Sequence, residues 1–427
     1  MTTSLNRMTR RPPRFMWIGA IIVLVPVLLV YARFAIVEPI QNWQADDLAI
    51  NYSAATVLHS GGFLYDAEAL RAAHTAHIGP PGNLYTVLFL TYNNTPATAL
   101  LFWPLTFLTF PAAQTVFVLI NNACYLLGIG LTLYMLRAGP VEVILSVTFC
   151  TLLFFSPIRQ TFGLGQMNGV LVGLMAVSLA LALKQRDAWS GGFVALAAVL
   201  KISPIVMLGF FIAQRRWRAL LGASLMGFGL FLMVIFTGWD AVAHFVTQVL
   251  PAVGRGSAAF PNQSLLGALY RLSVPLTAIQ SSDAIGDYPA IRAVWLASAI
   301  GVMTLTWWLT ARAQLTDRSQ VALGLSVFIV AGLLAGGLTW DHYLLWLALP
   351  VIVLIVDWFQ ERWLNAIGFW TIFLVALGAV SVPIPLQAAL YRSLGPLGSA
   401  VSTGGLIGLW LLMLWRLRRL RRHQEAA

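Results

Sequence analysis

The chain has 427 residues, of which 59% are hydrophobic and only 10% charged, and it carries 16 tryptophans. A water-soluble domain needs far more polar surface than this, and a mean hydropathy of +0.81 is that of a polytopic membrane protein. The net charge of +11 does not imply nucleic acid, because the basic residues fall in short loops and tails between apolar runs, as in a positive-inside distribution.

The first apolar run, 15–37, is roughly 23 residues long, enough to cross the hydrocarbon layer as a helix. Arg7, Arg10, Arg11 and Arg14 precede it, which puts the N-terminus in the cytoplasm. Further spans are expected near 112–136, 141–156, 168–184, 219–238, 290–312, 320–337, 341–357, 363–381 and 399–416. The fold class is therefore an all-α polytopic membrane protein with about ten full transmembrane helices plus a broken helical hairpin at 191–213. The chain reads as a single domain, 1–427. "RRWR" at 215–218 and the tail 416–427, with "RLRRLRR", lie on the cytoplasmic side of this threading, as do both termini. The two longest segments between spans, 38–111 and 239–289, lie on the opposite, outer side. Cys124 and Cys150 fall within spans, and no Cys or His spacing suggests a metal site.

In the first outer loop, Asp47 to Ser60 reads as a short helix with Asp46 as its N-cap and Gly61-Gly62 as its stop. The stretch 95–108, interrupted by Pro104, is too short to span and reads as interfacial or re-entrant. "GGFVALAAVLKISPIVMLGFFIAQRRWR" is long enough for one span, but the charge pattern puts both of its ends in the cytoplasm. The chain must then turn near "KISP", with Lys201 at the apex. Irregular backbone at membrane depth is tolerated only inside protein or beside a polar cavity, so Lys201 should face such a cavity.

On this topology Asp46, Asp47, Asp240, Asp341, His342, Arg159 and Arg255 gather toward the outer face, with Lys201 pointing at them from below. Each also has a plainer reading. Asp47 is a charge that a helix start favours, and Lys201 is a side chain that can snorkel. Gln166 and Asn168, in "GLGQMNG", can satisfy backbone groups. Asn262 and Gln263, in "PNQS", suit either a cap or sugar hydroxyls. "LTWDHYLLW" at 338–346 puts Trp340 and Tyr343 in an interfacial belt, with the less expected Asp341-His342 between them. No phosphate-cradling GxxxxGK[ST] occurs, and no cofactor is expected.

Six motifs then appear in order: "DDLAINYSAA…GGFLYD" at 46–66, "YNNTPATALLFWPL" at 92–105, "GQMNGVLVGL" at 165–174, "GGFVALAAVLKISP…RRWRALL" at 191–221, "NQSLLGALYR" at 262–271 and "TWDHYLLWLALP" at 339–350. Together they resemble the polyprenyl-phosphate-mannose-dependent α-mannosyltransferases of the C-type (GT-C) glycosyltransferase superfamily, over most of the chain. The resemblance implies a GT-C fold, an integral protein of the bacterial inner membrane and an active site on the periplasmic side. It also implies a polyprenyl-phosphate sugar donor and a glycolipid or glycan acceptor. Asp47 matches the family's catalytic aspartate. Lys201, Arg159 and His342 are expected at the donor phosphate, and Asp46, Tyr52, Gln166, Asn168, Asn262, Gln263 and Asp341 at the substrates. The family further implies inversion at the anomeric carbon. "NN" at 93–94 departs from the pattern and bears on the acceptor. The competing class is a transporter or lipid-linked-sugar flippase. Against it, the chain has no internal repeat, and its charges gather at one face instead of the midplane.

Overall fold

The computed structural model describes residues 13–42, 45–80, 91–274 and 288–425. Arg7, Arg10 and Arg11 and parts of both outer loops lie outside these. Among the described residues the only extended pairing is one antiparallel bridge, Asn262 to Trp340. All other regular structure is helical.

The first helix, α1 (Arg14–Ala32), continues through a π turn at Arg33–Val37 into Glu38–Asn42, so it outruns the expected 15–37. The first loop then folds as α2 (Asp46–His59), α3 (Ala67–His77) and α4 (Pro96–Phe102). Next come α5 (Phe110–Met135), α6 (Pro140–Thr148), α7 (Phe155–Leu164) and α8 (Asn168–Leu183). They are followed by α9 (Asp187–Leu200), α10 (Leu208–Ala213) and α11 (Trp217–Ile235). The second loop contributes α12 (Leu265–Ser273). The remainder is α13 (Pro289–Arg312), α14 (Arg318–Ala335), α15 (Ala348–Glu361), α16 (Ala366–Val380), α17 (Ile384–Leu394) and α18 (Val401–Glu425).

Six of the described helices are long and apolar enough to cross a membrane, or up to eight if each bent pair counts as one span, in place of the ten expected. The differences have local causes. The run from Pro140 to Leu164 bends by 63° after a π turn, and the run from Ala366 to Leu394 bends by 97° where Pro383 cannot continue the helix. The expected span at 168–184 is a 16-residue helix, short of a full crossing. The tail expected to begin at 416 is part of α18, because arginine is a good helix former and nothing breaks the chain there. Asp46 is not a cap. It is the first residue of α2, and the cap position is Ala45, in the left-handed region at φ 48°.

α14 and the segment Asp341–Glu361 bury nearly all their side chains and form the centre of the bundle, whereas α1 and α11 bury few and face outward. Helices in lipid gain little from apolar burial against one another, so close packing of small residues holds them together. α9 against α11 is an example. A Cβ on Gly191 would lie 1.8 Å from the Ala219 carbonyl, and one on Gly222 would lie 1.9 Å from that of Ala188.

The broken segment 191–213 sits on this crossing. After α9 the backbone is extended at Lys201 (φ −150°, ψ 119°), turns through a 3-10 helix at Ser203–Met207 and enters α10. Arg216 then donates to Asp187 Oδ1 at 3.2 Å. The two ends of the segment are thus side by side, and the chain returns to the level at which it entered.

Candidate active site

The site is built where α2, the α7–α8 junction, the Lys201 turn and the 341–347 segment meet. Asp47 lies in the first turn of α2, where the helix dipole favours a carboxylate. Two asparagines fix this helix from the side: Asn94 Nδ2 donates to Asn51 Oδ1 at 3.0 Å, and Asn51 Nδ2 donates to the Asp47 carbonyl at 2.8 Å. The Asn-Asn departure noted in the sequence therefore puts Asn94 against the helix that carries Asp47.

α7 ends at Gly165, which takes the left-handed conformation at φ 72°, while the Gln166 amide donates back to the Thr161 carbonyl. A Cβ there would come within 2.4 Å of Leu48 Cβ, so only glycine lets this turn approach α2. Gln166 is thereby presented to Asp47. Its Nε2 donates to Asp47 Oδ2 at 2.8 Å, and its Oε1 accepts from Lys201 Nζ at 3.3 Å. One amide thus joins the carboxylate to the ammonium. Asn121 holds the turn, donating to the Gln166 carbonyl at 2.7 Å and accepting from the Val170 amide at 2.9 Å.

Lys201 is positioned twice over. Its Nζ lies 3.6 Å from the centroid of the Tyr343 ring, which stacks on Trp346. The last carbonyls of α9, left without helical partners, accept from threonines at the start of α4: Thr95 to Val199 at 2.7 Å and Thr98 to Leu200 at 3.1 Å. Asp47, Gln166, Lys201 and Tyr343 all remain partly exposed, while the groups behind them are buried.

His342 and Asp341 belong to that buried layer. His342 Nδ1 is 3.9 Å from Asp341 Oδ1, and its buried Nε2 has no hydrogen-bond partner among the described residues. Ser156 donates to Asp341 Oδ2 at 3.4 Å. Asn168 accepts from the Trp346 indole at 3.2 Å, so it braces the ring that backs Tyr343.

The other expected site residues are engaged elsewhere. Arg159 pairs with Glu38 at the end of the first helical run and lies against the Phe34 and Phe155 rings. The Tyr52 hydroxyl donates to the Leu108 carbonyl at 2.8 Å. Asn262 and Gln263 are fully buried. Asn262 donates to the carbonyls of Ser257 and Gly337 and accepts from the Thr339 and Ser264 amides. Gln263 takes its backbone amide to the Thr339 carbonyl at 2.6 Å. The two residues tie the second loop to the strand-like stretch before Asp341. That makes them supports of the site in this structure, in place of sugar contacts. Asn121, Thr95 and Thr98 were not singled out from the sequence, and Asn94 was noted there only as a departure from the family pattern. Tyr343 reads there as an interfacial tyrosine, and only the fold shows the cation against it.

Burial raises the Asp47 pKa above the ordinary carboxylate value, while the Gln166 hydrogen bond and the Lys201 charge pull it down and the neighbouring Asp46 adds to the rise. A carboxylate so placed is a stronger base than one in water.

The sequence pattern of Glycosyltransferase family 87 matches residues 92–337, more than half of the chain. The chain belongs to glycosyltransferase family 87. It is similar to several named glycosyltransferases. A polyprenol-phosphate-mannose-dependent alpha-(1-2)-phosphatidylinositol mannoside mannosyltransferase of Mycolicibacterium smegmatis is 27% identical over 345 residues, covering 72% of each chain. Its counterpart in Mycobacterium tuberculosis is 26% identical over 63% of this chain and 62% of its own. An alpha-(1->3)-arabinofuranosyltransferase of Corynebacterium glutamicum is 24% identical over 64% of this chain and 61% of its own. The family 87 match covers α4 to α14 and so includes Gln166 and Lys201, while Asp47 precedes it. This protein is an integral membrane glycosyltransferase.

Proposed function

We propose that the protein moves a mannosyl group from a polyprenyl-phosphate donor to a hydroxyl of a glycolipid or glycan acceptor, with inversion, at the outer face of the bacterial inner membrane. The observation that carries this reading is the chain Asp47, Gln166, Lys201, which joins a base and a cation through one amide at partly exposed positions. Asp47 takes the proton of the acceptor hydroxyl as its oxygen bonds to the anomeric carbon. The bond from that carbon to the phosphate oxygen breaks, and the electron pair leaves with the polyprenyl phosphate. The oxocarbenium-like transition state needs negative charge near the attacking hydroxyl and positive charge near the departing phosphate. Lys201 supplies the latter, with His342 Nε2 as a second nitrogen. Arg159, paired with Glu38, is not needed for this. A monophosphate leaving group carries less charge than a diphosphate, so protein cations suffice. The names of the two mycobacterial relatives support a polyprenyl-phosphate donor and a lipid-anchored acceptor.

The test is transfer by purified protein in lipid vesicles. We expect product from polyprenyl-phosphate mannose, none from a nucleotide-linked mannose, no loss on chelating divalent metals and a large loss in Lys201→Ala. Transfer from polyprenyl-phosphate arabinose alone would replace the sugar. Strict metal dependence with an unaffected Lys201→Ala would remove the leaving-group role. Movement of lipid-linked sugar across the vesicle without transfer would replace the enzyme by a flippase.

A further inference from the structure

The segment Asp341–Leu347 is a 3-10 helix. Three residues complete a turn there, so side chains three apart lie one above the other. Tyr343 and Trp346 are such a pair, and their rings stack with centroids 5.3 Å apart and planes 13° from parallel. The stack is fixed from two neighbouring helices. The Trp346 indole donates to Asn168 Oδ1 of α8 at 3.2 Å, and Thr161 of α7 donates to the His342 carbonyl at 3.2 Å. Trp346 is buried and Tyr343 half-buried, with Lys201 Nζ over the Tyr343 ring at 3.6 Å from its centroid.

This ring contact is the firmer of the two that hold the ammonium. A cation attracted to an aromatic face sits within about 6 Å of the ring centroid, and Lys201 is well inside that range. Its other contact, from Nζ to Gln166 Oε1, is 3.3 Å, past the usual limit of about 3.2 Å for an N–H···O bond. The far end of the same amide donates to Asp47 Oδ2 at 2.8 Å. Base and cation are thus each held by uncharged groups, with the amide between them. A lysine stem is flexible, and opposite charges attract strongly where water is scarce. Direct contact would cancel both: the carboxylate would lose proton affinity, and the ammonium would face Asp47 in place of a departing phosphate.

We propose that Tyr343 is a positioning residue of the transfer reaction, whose ring face keeps the Lys201 ammonium apart from Asp47 so that base and cation act separately. This rests on the roles proposed above for Asp47 and Lys201. Among the described residues the charges that act on Asp47 are those of Lys201 and Asp46. Asp46 is on the same helix as Asp47 and stays in place when Tyr343 is changed. Asp341 and His342 lie in the buried layer beside Tyr343, the His342 ring 4.9 Å from that of Tyr343. The proton affinity of Asp47 therefore reports where the Lys201 ammonium is.

The experiment is transfer from polyprenyl-phosphate mannose by the full chain in lipid vesicles, with kcat and kcat/KM followed against pH. Tyr343→Phe keeps the ring face, so kcat should stay within about 3-fold of wild type and the acid limb should not move. Tyr343→Leu removes the face. Lys201 then closes on Asp47 and favours its ionised form, so the limb should move to lower pH by about one unit and kcat should fall about 10-fold or more. Tyr343→trifluorophenylalanine has the shape of the phenylalanine variant, but its fluorines draw electron density from the ring face. It should behave like Tyr343→Leu, and it decides the matter if the leucine variant fails to purify. A fluorinated chain that matches Tyr343→Phe would overturn the proposal and make the ring a packing element. A loss in Tyr343→Phe as large as in Tyr343→Leu would overturn it in favour of the hydroxyl, and a lower kcat with a fixed limb would overturn it as well. No transfer by the wild-type chain, or full activity in Asp47→Asn, would remove the proposed function and this inference with it. An inactive Asp47→Asn beside an unmoved limb in Tyr343→Leu would overturn this inference alone.

Discussion

Asp47 is bonded on one side by Gln166 and sits between a like charge, Asp46, and an opposite one, Lys201. Burial raises its folded pKa above the unfolded value near 3.9. A raised carboxylate contributes stability only below the unfolded pKa, and this is lost as pH rises through the folded one. At neutral pH the ionised Asp47 is therefore a cost to folding. Asp47→Asn should lower kcat by roughly 10²–10⁴-fold while thermal unfolding occurs at the same or a higher temperature; a drop in both would make the residue structural. The acid limb of the kcat/KM profile should lie above the ordinary carboxylate range. Gln166→Leu removes the hydrogen bond that favours the ionised form, so it should move that limb to still higher pH. A limb that stays in place would show that another group is the base. Asp47 was singled out through the 46–66 motif that carries the family resemblance, and the fold sets it beside Gln166. Gln166 was only half legible, since an amide at a helix start serves backbone and ligand equally well.

At the scale of elements, the Lys201 turn depends on the α9–α11 crossing and on α4. Gly191→Leu puts atoms where the Ala219 carbonyl already lies. The helices must separate, and the melting temperature and transfer activity should fall together; unchanged melting would mean the crossing is looser than its geometry. Arg416 and Asp357 provide a separate check. Both are almost fully buried, so Arg416→Met alone should cost about 3–5 kcal/mol in unfolding, while the double variant with Asp357→Leu should recover most of it. A double variant as unstable as the single one would show that the pair is not the source. The long apolar helices were read from the sequence at nearly their observed positions, because length and hydropathy alone specify them. The bends at 140–164 and 366–394, and the failure of the helix at 168–183 to reach a full crossing, were not. Window hydropathy does not register a 97° turn at Pro383, and a 16-residue helix packed among others is as apolar as one that crosses. The threonines that satisfy the end of α9 were invisible for a different reason: Thr95 and Val199 become neighbours only when the chain has folded.

For the whole molecule, the return of segment 187–216 to its starting level determines how the two halves of the chain are threaded. With Cys124 and Cys150 replaced by alanine, cysteines at Arg186 and Arg215 should react with an impermeant thiol reagent from one side, and a cysteine at Ser60 from the other. Labelling of 186 and 215 from opposite sides would turn the hairpin into a span and invert everything after it.

The spacing of Asp47, Gln166 and Lys201 along the chain also bears on biosynthesis. Asp47 and Gln166 are 119 residues apart, so at about 5–20 residues per second the carboxylate waits roughly 6–24 s for its amide. Lys201 follows 35 residues later, and the Ser156 partner Asp341 lies 185 residues beyond that serine. From residue 47 to residue 201, a little over a third of the chain, the nascent polypeptide therefore holds an uncompensated acid. A product truncated before 201 keeps that acid permanently, in an apolar segment without its cation.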